Sequence, residues 1–305
     1  MKTQHPFPLI AAPYTPMRAD GALNLDAVQP LANWLSSIGV TGAFIAGTTG
    51  EGYSLTFAER VALTERWAEA VKNMSLDLYV QVGGNCQRES IELAGHAQAL
   101  SVAGIAALPP GYLRPASIEA LIEYCEPIAA AAAKTSFYYY DIPSLSGVTL
   151  PAVELLGCAA ERIPNLRGIK FSHTDLVQLQ ACVQFQGGHF EIYYGNDETL
   201  LAAYCLGAHG AIGSTYNFMA PTYHQLLAHA DAQEWTEART LQWRAATAVR
   251  LLARFGYLPA SKSVMAMVGV DCGPVRNPLR NLSETEAALV RFEVEKLDVL
   301  PNAGK

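Results

Sequence analysis

Leu166-Arg167-Gly168-Ile169-Lys170-Phe171-Ser172 is a short apolar run with one lysine near its end. Alternation in a strand places Gly168, Lys170 and Ser172 on one face and Ile169 and Phe171 on the other. The run is one of eight of similar length, at residues 8–12, 42–47, 78–83, 104–108, 135–140, 167–172, 191–194 and 210–213. Helical patterns lie between them, among them residues 25–38, 57–72, 89–102, 117–133 and 197–206. Strand–helix–strand at this spacing predicts βαβ units and a parallel sheet. Eight repeats favour closure, so the fold class expected is α/β, a (β/α)8 TIM barrel over residues 1–221. No G-x-G-x-x-G follows the first run, which weakens a doubly wound dinucleotide-binding sheet. Beyond residue 222 only helical patterns remain, at 222–255, 261–268 and 283–297. Residues 222–305 are therefore expected to form a C-terminal helical extension packed on the barrel.

Composition narrows the function. Half of the 305 residues are hydrophobic, enough for one large core. A net charge of -7 leaves no basic footprint for nucleic acid, and any anionic substrate must be held by local groups. The start, Met1-Lys2-Thr3-Gln4-His5-Pro6, lacks an apolar leader core, and no apolar stretch is long enough to span a membrane. A cytoplasmic protein is expected. Its six cysteines, Cys86, Cys125, Cys158, Cys182, Cys205 and Cys272, show no metal-ligand spacing and are expected to be reduced core thiols. His173 lies beside Asp175 without further ligands, so no metal site is expected.

Chemistry in such a barrel gathers at the C-terminal strand ends. Gly47-Thr48-Thr49-Gly50-Glu51 follows the second run. Its hydroxyls and glycine-freed backbone N–H groups suit a carboxylate, though a threonine-capped turn would read the same way. It is no phosphate loop, because no Gly-Lys-Ser/Thr follows. Tyr140 ends the fifth run and suits proton transfer. Tyr138 and Tyr139 read instead as an aromatic core ladder. Lys170, at the end of the sixth run, is either a snorkelling or ion-paired lysine or a nucleophile. Burial disfavours the charged form of an amine, and a neutral amine can form a Schiff base with a ketone. Tyr194-Gly195-Asn196-Asp197-Glu198 and Gly213-Ser214-Thr215-Tyr216-Asn217 end the last two runs. They offer either polyol contacts or helix caps.

The ordered set Gly47–Glu51, Tyr140-Asp141-Ile142-Pro143, Gly168-Ile169-Lys170 and Gly210-Ala211-Ile212-Gly213-Ser214 resembles the dihydrodipicolinate synthase/N-acetylneuraminate lyase family over nearly the whole chain. The resemblance implies a pyruvate-handling class I aldolase without metal or organic cofactor, its covalent Schiff base forming on Lys170. Several details resemble the lyase branch. Leu145 stands where the synthase branch usually has an arginine for a substrate carboxylate, and leucine cannot make that contact. Asp141 stands where asparagine is common, a departure expected to matter little. The lyase resemblance implies reversible cleavage of N-acetylneuraminate to N-acetylmannosamine and pyruvate. It casts Lys170 as nucleophile, Tyr140 as proton carrier and Tyr112 as part of a relay that in relatives sometimes crosses a subunit interface. It casts Thr48 and Thr49 as carboxylate ligands. Gly195, Asp197, Glu198 and Ser214 become polyol ligands, with Ser172 a weaker candidate. It also implies a homotetramer, small-molecule partners only, and neither nucleic acid nor membrane. Another aldolase of 2-keto-3-deoxy sugar acids, a dihydrodipicolinate synthase, or a barrel that only senses a sugar acid remain as alternatives.

Overall fold

The computed structural model describes residues 7–301. Residues 1–6, on which the expected absence of a leader core rests, lie outside that range. Eight parallel strands close into a barrel in sequence order. They are β1 (Leu9–Ala11), β2 (Gly42–Ile45), β3 (Asp77–Gln81), β4 (Gly104–Ala107), β5 (Ser136–Asp141), β6 (Leu166–Phe171), β7 (Glu191–Tyr194) and β8 (Gly210–Gly213). Every apolar run in the sequence contains or coincides with one strand to within a residue or two. β8 pairs back onto β1, with Ile10 opposite Ile212, which removes the sheet edge.

The two-residue alternation sorts side chains into two cores. Ile10, Phe44, Tyr79, Tyr138, Tyr140, Tyr193 and Ile212 fill the barrel interior. Leu9, Ala11, Phe137, Tyr139, Ile169 and Phe171 point outward and pack under the surrounding helices. Near the N-terminal strand ends the interior is plugged by the edge-to-face rings of Tyr79, Tyr138 and Tyr193. There the Tyr138 hydroxyl donates to Glu191 at 2.7 Å. The catalytic candidates thus occupy one end of a packed cylinder rather than a pore.

Each strand is followed by helix. Phe57–Val71 begins in a capping box, the Thr56 hydroxyl accepting from the Glu59 N–H while Glu59 accepts from the Thr56 N–H. Ala152–Ala159 and Leu176–Gln184 complete the alternation after β5 and β6. The helical pattern over residues 222–255 proves to be two helices, Tyr216–Asp231 and Trp235–Arg254. They are broken where Gln233 takes a left-handed φ of 62°. Neither glycine nor proline marks that break, so the apolar periodicity runs through it unannounced. The expected division between residues 221 and 222 falls inside the first of these helices. Trp235–Arg254 lies against it, and Tyr257–Met267 packs with Glu284–Glu295.

Each cysteine is a free thiol, but only Cys125, Cys182 and Cys272 are buried. The other three lie on helix surfaces and loops, so core placement holds for half of the set. No helix among the described residues is long and apolar enough to cross a membrane.

Candidate active site

β5 and β6 bring the two central residues together. Tyr140 lies opposite Lys170 in the parallel register, and both point into the barrel. Lys170 Nζ sits 3.8 Å from the centre of the Tyr140 ring and 5.2 Å from that of Phe44. The side chain is 4 % exposed, so it does not snorkel. Among the described residues it forms no ion pair, and it donates one hydrogen bond, to Ser172 Oγ at 3.0 Å. A buried amine among aromatic faces, with a small hydroxyl as its neighbour, has the surroundings that covalent amine chemistry requires.

The turn after β2 meets this pair from across the mouth. Thr48 Oγ1 lies 3.2 Å from the Tyr140 hydroxyl. Thr48 is otherwise exposed, whereas Thr49 is buried beneath it. On the far side, Gly195 follows β7 and lies directly over Ser172: a Cβ there would fall 2.0 Å from Ser172 Oγ. Ser172 therefore fits only because residue 195 is glycine. Gly213 plays the same part for Asp197, whose Oδ1 lies 1.8 Å from where a Cβ would be.

Asp197 is fully buried, and its Oδ2 accepts from the Thr215 N–H at 2.8 Å and the Thr215 hydroxyl at 2.6 Å. Among the described residues its Oδ1 has no hydrogen-bond partner. Burial pushes the carboxyl up to about 6, against the two Thr215 bonds that hold it down. The capping alternative for this turn is not realised: neither Asn196 nor Asp197 makes a side-chain cap. Glu198 stands exposed at the rim. Ser214 shares a 2.6 Å hydrogen bond with the Tyr257 hydroxyl. Thr215, Tyr216 and Asn217 are buried, and Asn217 ties Ala12 to Ser214 through its amide, each bond 2.7 Å.

Tyr112 stands apart from this group. It is 87 % exposed, and its backbone N–H rests 3.4 Å from Asn85 Oδ1. Leu145, on the short helix Pro143–Ser146, lines a cavity of about 300 Å³ with Thr48, Tyr53, Ile142, Leu258 and Leu279. This apolar vestibule adjoins the Thr48 side of the mouth and does not include Lys170. His173 and Asp175 part company: Asp175 caps Leu176–Gln184, accepting from Gln178 N–H at 3.0 Å, while His173 sits edge-on to Phe171. Asp141 is 1 % exposed, and by alternation it faces the outer core, away from Lys170. Burial alone pushes its carboxyl up to about 7.

Sequence reasoning passed over Tyr257, Gln242 and Lys262. Gln242 accepts from the Leu201 N–H at 2.8 Å and donates to the Asp197 carbonyl at 3.0 Å, bracing the β7 turn. All three lie on C-terminal helices far along the chain, where helical periodicity says nothing about which side chains reach the mouth.

The chain is similar to known proteins along almost all of its length. An N-acetylneuraminate lyase of Sus scrofa is 36% identical over 296 residues, covering 96% of this chain and 93% of the relative. The structure of an N-acetylneuraminate lyase from Proteus mirabilis superposes with a TM-score of 0.94 at 35% identity, covering 96% of this chain and 99% of that one. A sialic acid aldolase of Ruminococcus gnavus, solved as a catalytic lysine mutant, superposes with a TM-score of 0.90 at 28% identity, covering 95% of both chains. Residues 6–297 match the Dihydrodipicolinate synthetase family. With the barrel, the mouth lysine and this full-length match in agreement, the chain belongs to that family.

Proposed function

We propose that the protein is a class I aldolase that reversibly cleaves N-acetylneuraminate to N-acetylmannosamine and pyruvate. The observation that carries this is Lys170, a buried amine without an ion-pair partner among the described residues, 3.8 Å from the Tyr140 ring. The neutral amine attacks the ketone carbon of the open-chain sugar acid, and loss of water gives an iminium. The C3–C4 bond then breaks. Its electron pair moves into the iminium to form an enamine, and Tyr140 takes the proton of the C4 hydroxyl as the aldehyde forms. Protonation of the enamine at C3 and hydrolysis release pyruvate and restore Lys170. The imine is the electron sink, so the reaction calls for neither a metal nor an organic cofactor.

Thr48 and Thr49 hold the carboxylate, and the 3.2 Å contact from Thr48 Oγ1 to the Tyr140 hydroxyl keeps that proton carrier next to the bound acid. Gly195, Asp197, Glu198 and Ser214 receive the polyol tail, and Asp197 Oδ1, without a hydrogen-bond partner among the described residues, supports a role as acceptor. Ser172 orients the amine through its 3.0 Å bond. Leu145 leaves the vestibule apolar, which suits a neutral sugar better than an anionic aldehyde. Tyr112 completes the relay only with a neighbouring copy of the chain. The exposure of Tyr112 at 87 %, Leu113 at 81 % and Tyr53 at 53 % supports an assembly, a homotetramer, that covers this rim. We place the enzyme in the cytoplasm, with the barrel (1–221) and the helical extension (222–305) as one folding unit.

Pyruvate release from N-acetylneuraminate, followed with a coupled assay, tests the reading. Borohydride with pyruvate is expected to leave a reduced adduct on Lys170, and Lys170→Ala is expected to take none. Equal labelling of the two proteins would remove the Schiff-base mechanism.

A further inference from the structure

Glu51 ends the turn that carries Thr48 and Thr49. Its backbone is left-handed, with φ 54°, a conformation uncommon for residues with a side chain. Its N–H closes the turn onto the Thr48 carbonyl at 3.0 Å. The carboxylate is buried and meets groups from the far end of the chain. Lys262, on helix Tyr257–Met267, places its ammonium 2.8 Å from Oε1, with 2 % and 1 % of the two side chains exposed. The Arg276 N–H donates to Oε2 at 2.8 Å. Lys262 also donates to the carbonyls of Thr15 at 3.0 Å and Pro274 at 2.7 Å. Thr15 in turn donates through its hydroxyl to the Gly50 carbonyl at 2.6 Å.

A buried ion pair is a poor source of stability, because desolvation offsets most of its attraction. What it supplies is geometry: a fixed charge behind a turn whose N–H groups and hydroxyls must point one way. We propose that Lys262 is a positioning residue for the carboxylate turn and acts through Glu51. The inference rests on the reading of Thr48 and Thr49 as the seat of the substrate carboxylate. Lys262 touches no reacting atom. It sets the left-handed Glu51, and through it the direction of the turn, so its loss weakens recognition of the 2-keto acid. The imine chemistry stays intact, because Lys170 and Tyr140 stand on other strands.

The experiment is borohydride trapping of pyruvate on Lys170 across a range of pyruvate concentrations, read by intact mass. Lys262→Met is expected to raise the half-saturating pyruvate concentration roughly ten-fold or more, as befits a displacement of an ångström or less. The adduct yield at saturating pyruvate is expected to stay at the wild-type level. Glu51→Gln keeps the acceptor for Arg276 and tests the same point in a milder variant, with a smaller shift in the same direction. If half-saturation is unchanged in both variants and only the yield falls with the folded fraction, the pair is structural and the inference is overturned. A wild type that takes up no pyruvate overturns the aldolase reading and this inference with it. A wild type that traps pyruvate indistinguishably from both variants overturns the inference alone.

Discussion

Lys170 and Lys262 are both buried lysines, 4 % and 3 % exposed, and their surroundings separate their work. Lys262 has a carboxylate and two carbonyls within reach; Lys170 has two aromatic faces and a serine. The same contrast governs the acids. Asp141 was expected to stand in harmlessly for asparagine, and it does stay clear of Lys170. Yet it is a buried carboxyl whose Oδ2 has no hydrogen-bond partner among the described residues, and burial pushes it up to about 7 from 3.8. Its effect on stability follows from linkage. Between pH 3.8 and 7 the unfolded chain ionises while the folded chain keeps the proton, so stability falls as pH rises through that window and levels off above it. The upper bound on the loss is about 4 kcal/mol. Asp141→Asn is expected to be more stable than wild type at pH 8, with the gap closing towards pH 4. Denaturant midpoints measured across that range check this, and parallel curves would count against it.

At the scale of elements, the strand ends carry the candidate site and the loops after them line its mouth. Alternation alone sends Tyr138, Tyr140, Gly168, Lys170 and Ser172 inward, and this much is readable from the order of residues. The short helix Pro143–Ser146 is a different matter. Its Leu145 is 63 % exposed yet lines the vestibule, a position that no periodicity foretells. Leu145→Arg would put a guanidinium at that wall, able to grip a carboxylate with two hydrogen bonds. In the condensation direction the variant is expected to shift preference from N-acetylmannosamine towards small anionic aldehydes by roughly ten-fold. Competing aldehydes at equal concentration give the measurement, and an unchanged product ratio would remove the argument from Leu145.

For the whole molecule, the C-terminal helices brace the turns of the candidate site. Trp235–Arg254 sends Gln242 to the β7 turn, and Tyr257–Met267 sends Tyr257 to Ser214 and Lys262 to Glu51. The first of these helices also buries Ala238, Ala245, Ala248 and Leu252 completely or nearly so. A chain ending at residue 233 is therefore expected to lose its cooperative unfolding transition, as calorimetry would register; a sharp transition near the wild-type temperature would contradict this. Here lies the boundary between what the residue order determines and what folding decides. The barrel was legible in the sequence, because eight apolar runs and the helices between them are local patterns with periods of 2 and 3.6 residues. So was the meeting of Lys170, Tyr140 and the Thr48-Thr49 turn at one end of the barrel, since parallel strands deliver every strand end to the same face. The break at Gln233 was not legible, because a left-handed glutamine carries no signal of its own. Nor were Tyr257, Gln242 and Lys262. Their contacts with Ser214, Asp197 and Thr15 span 43, 45 and 247 residues, and only tertiary packing brings side chains at such separations within hydrogen-bonding distance.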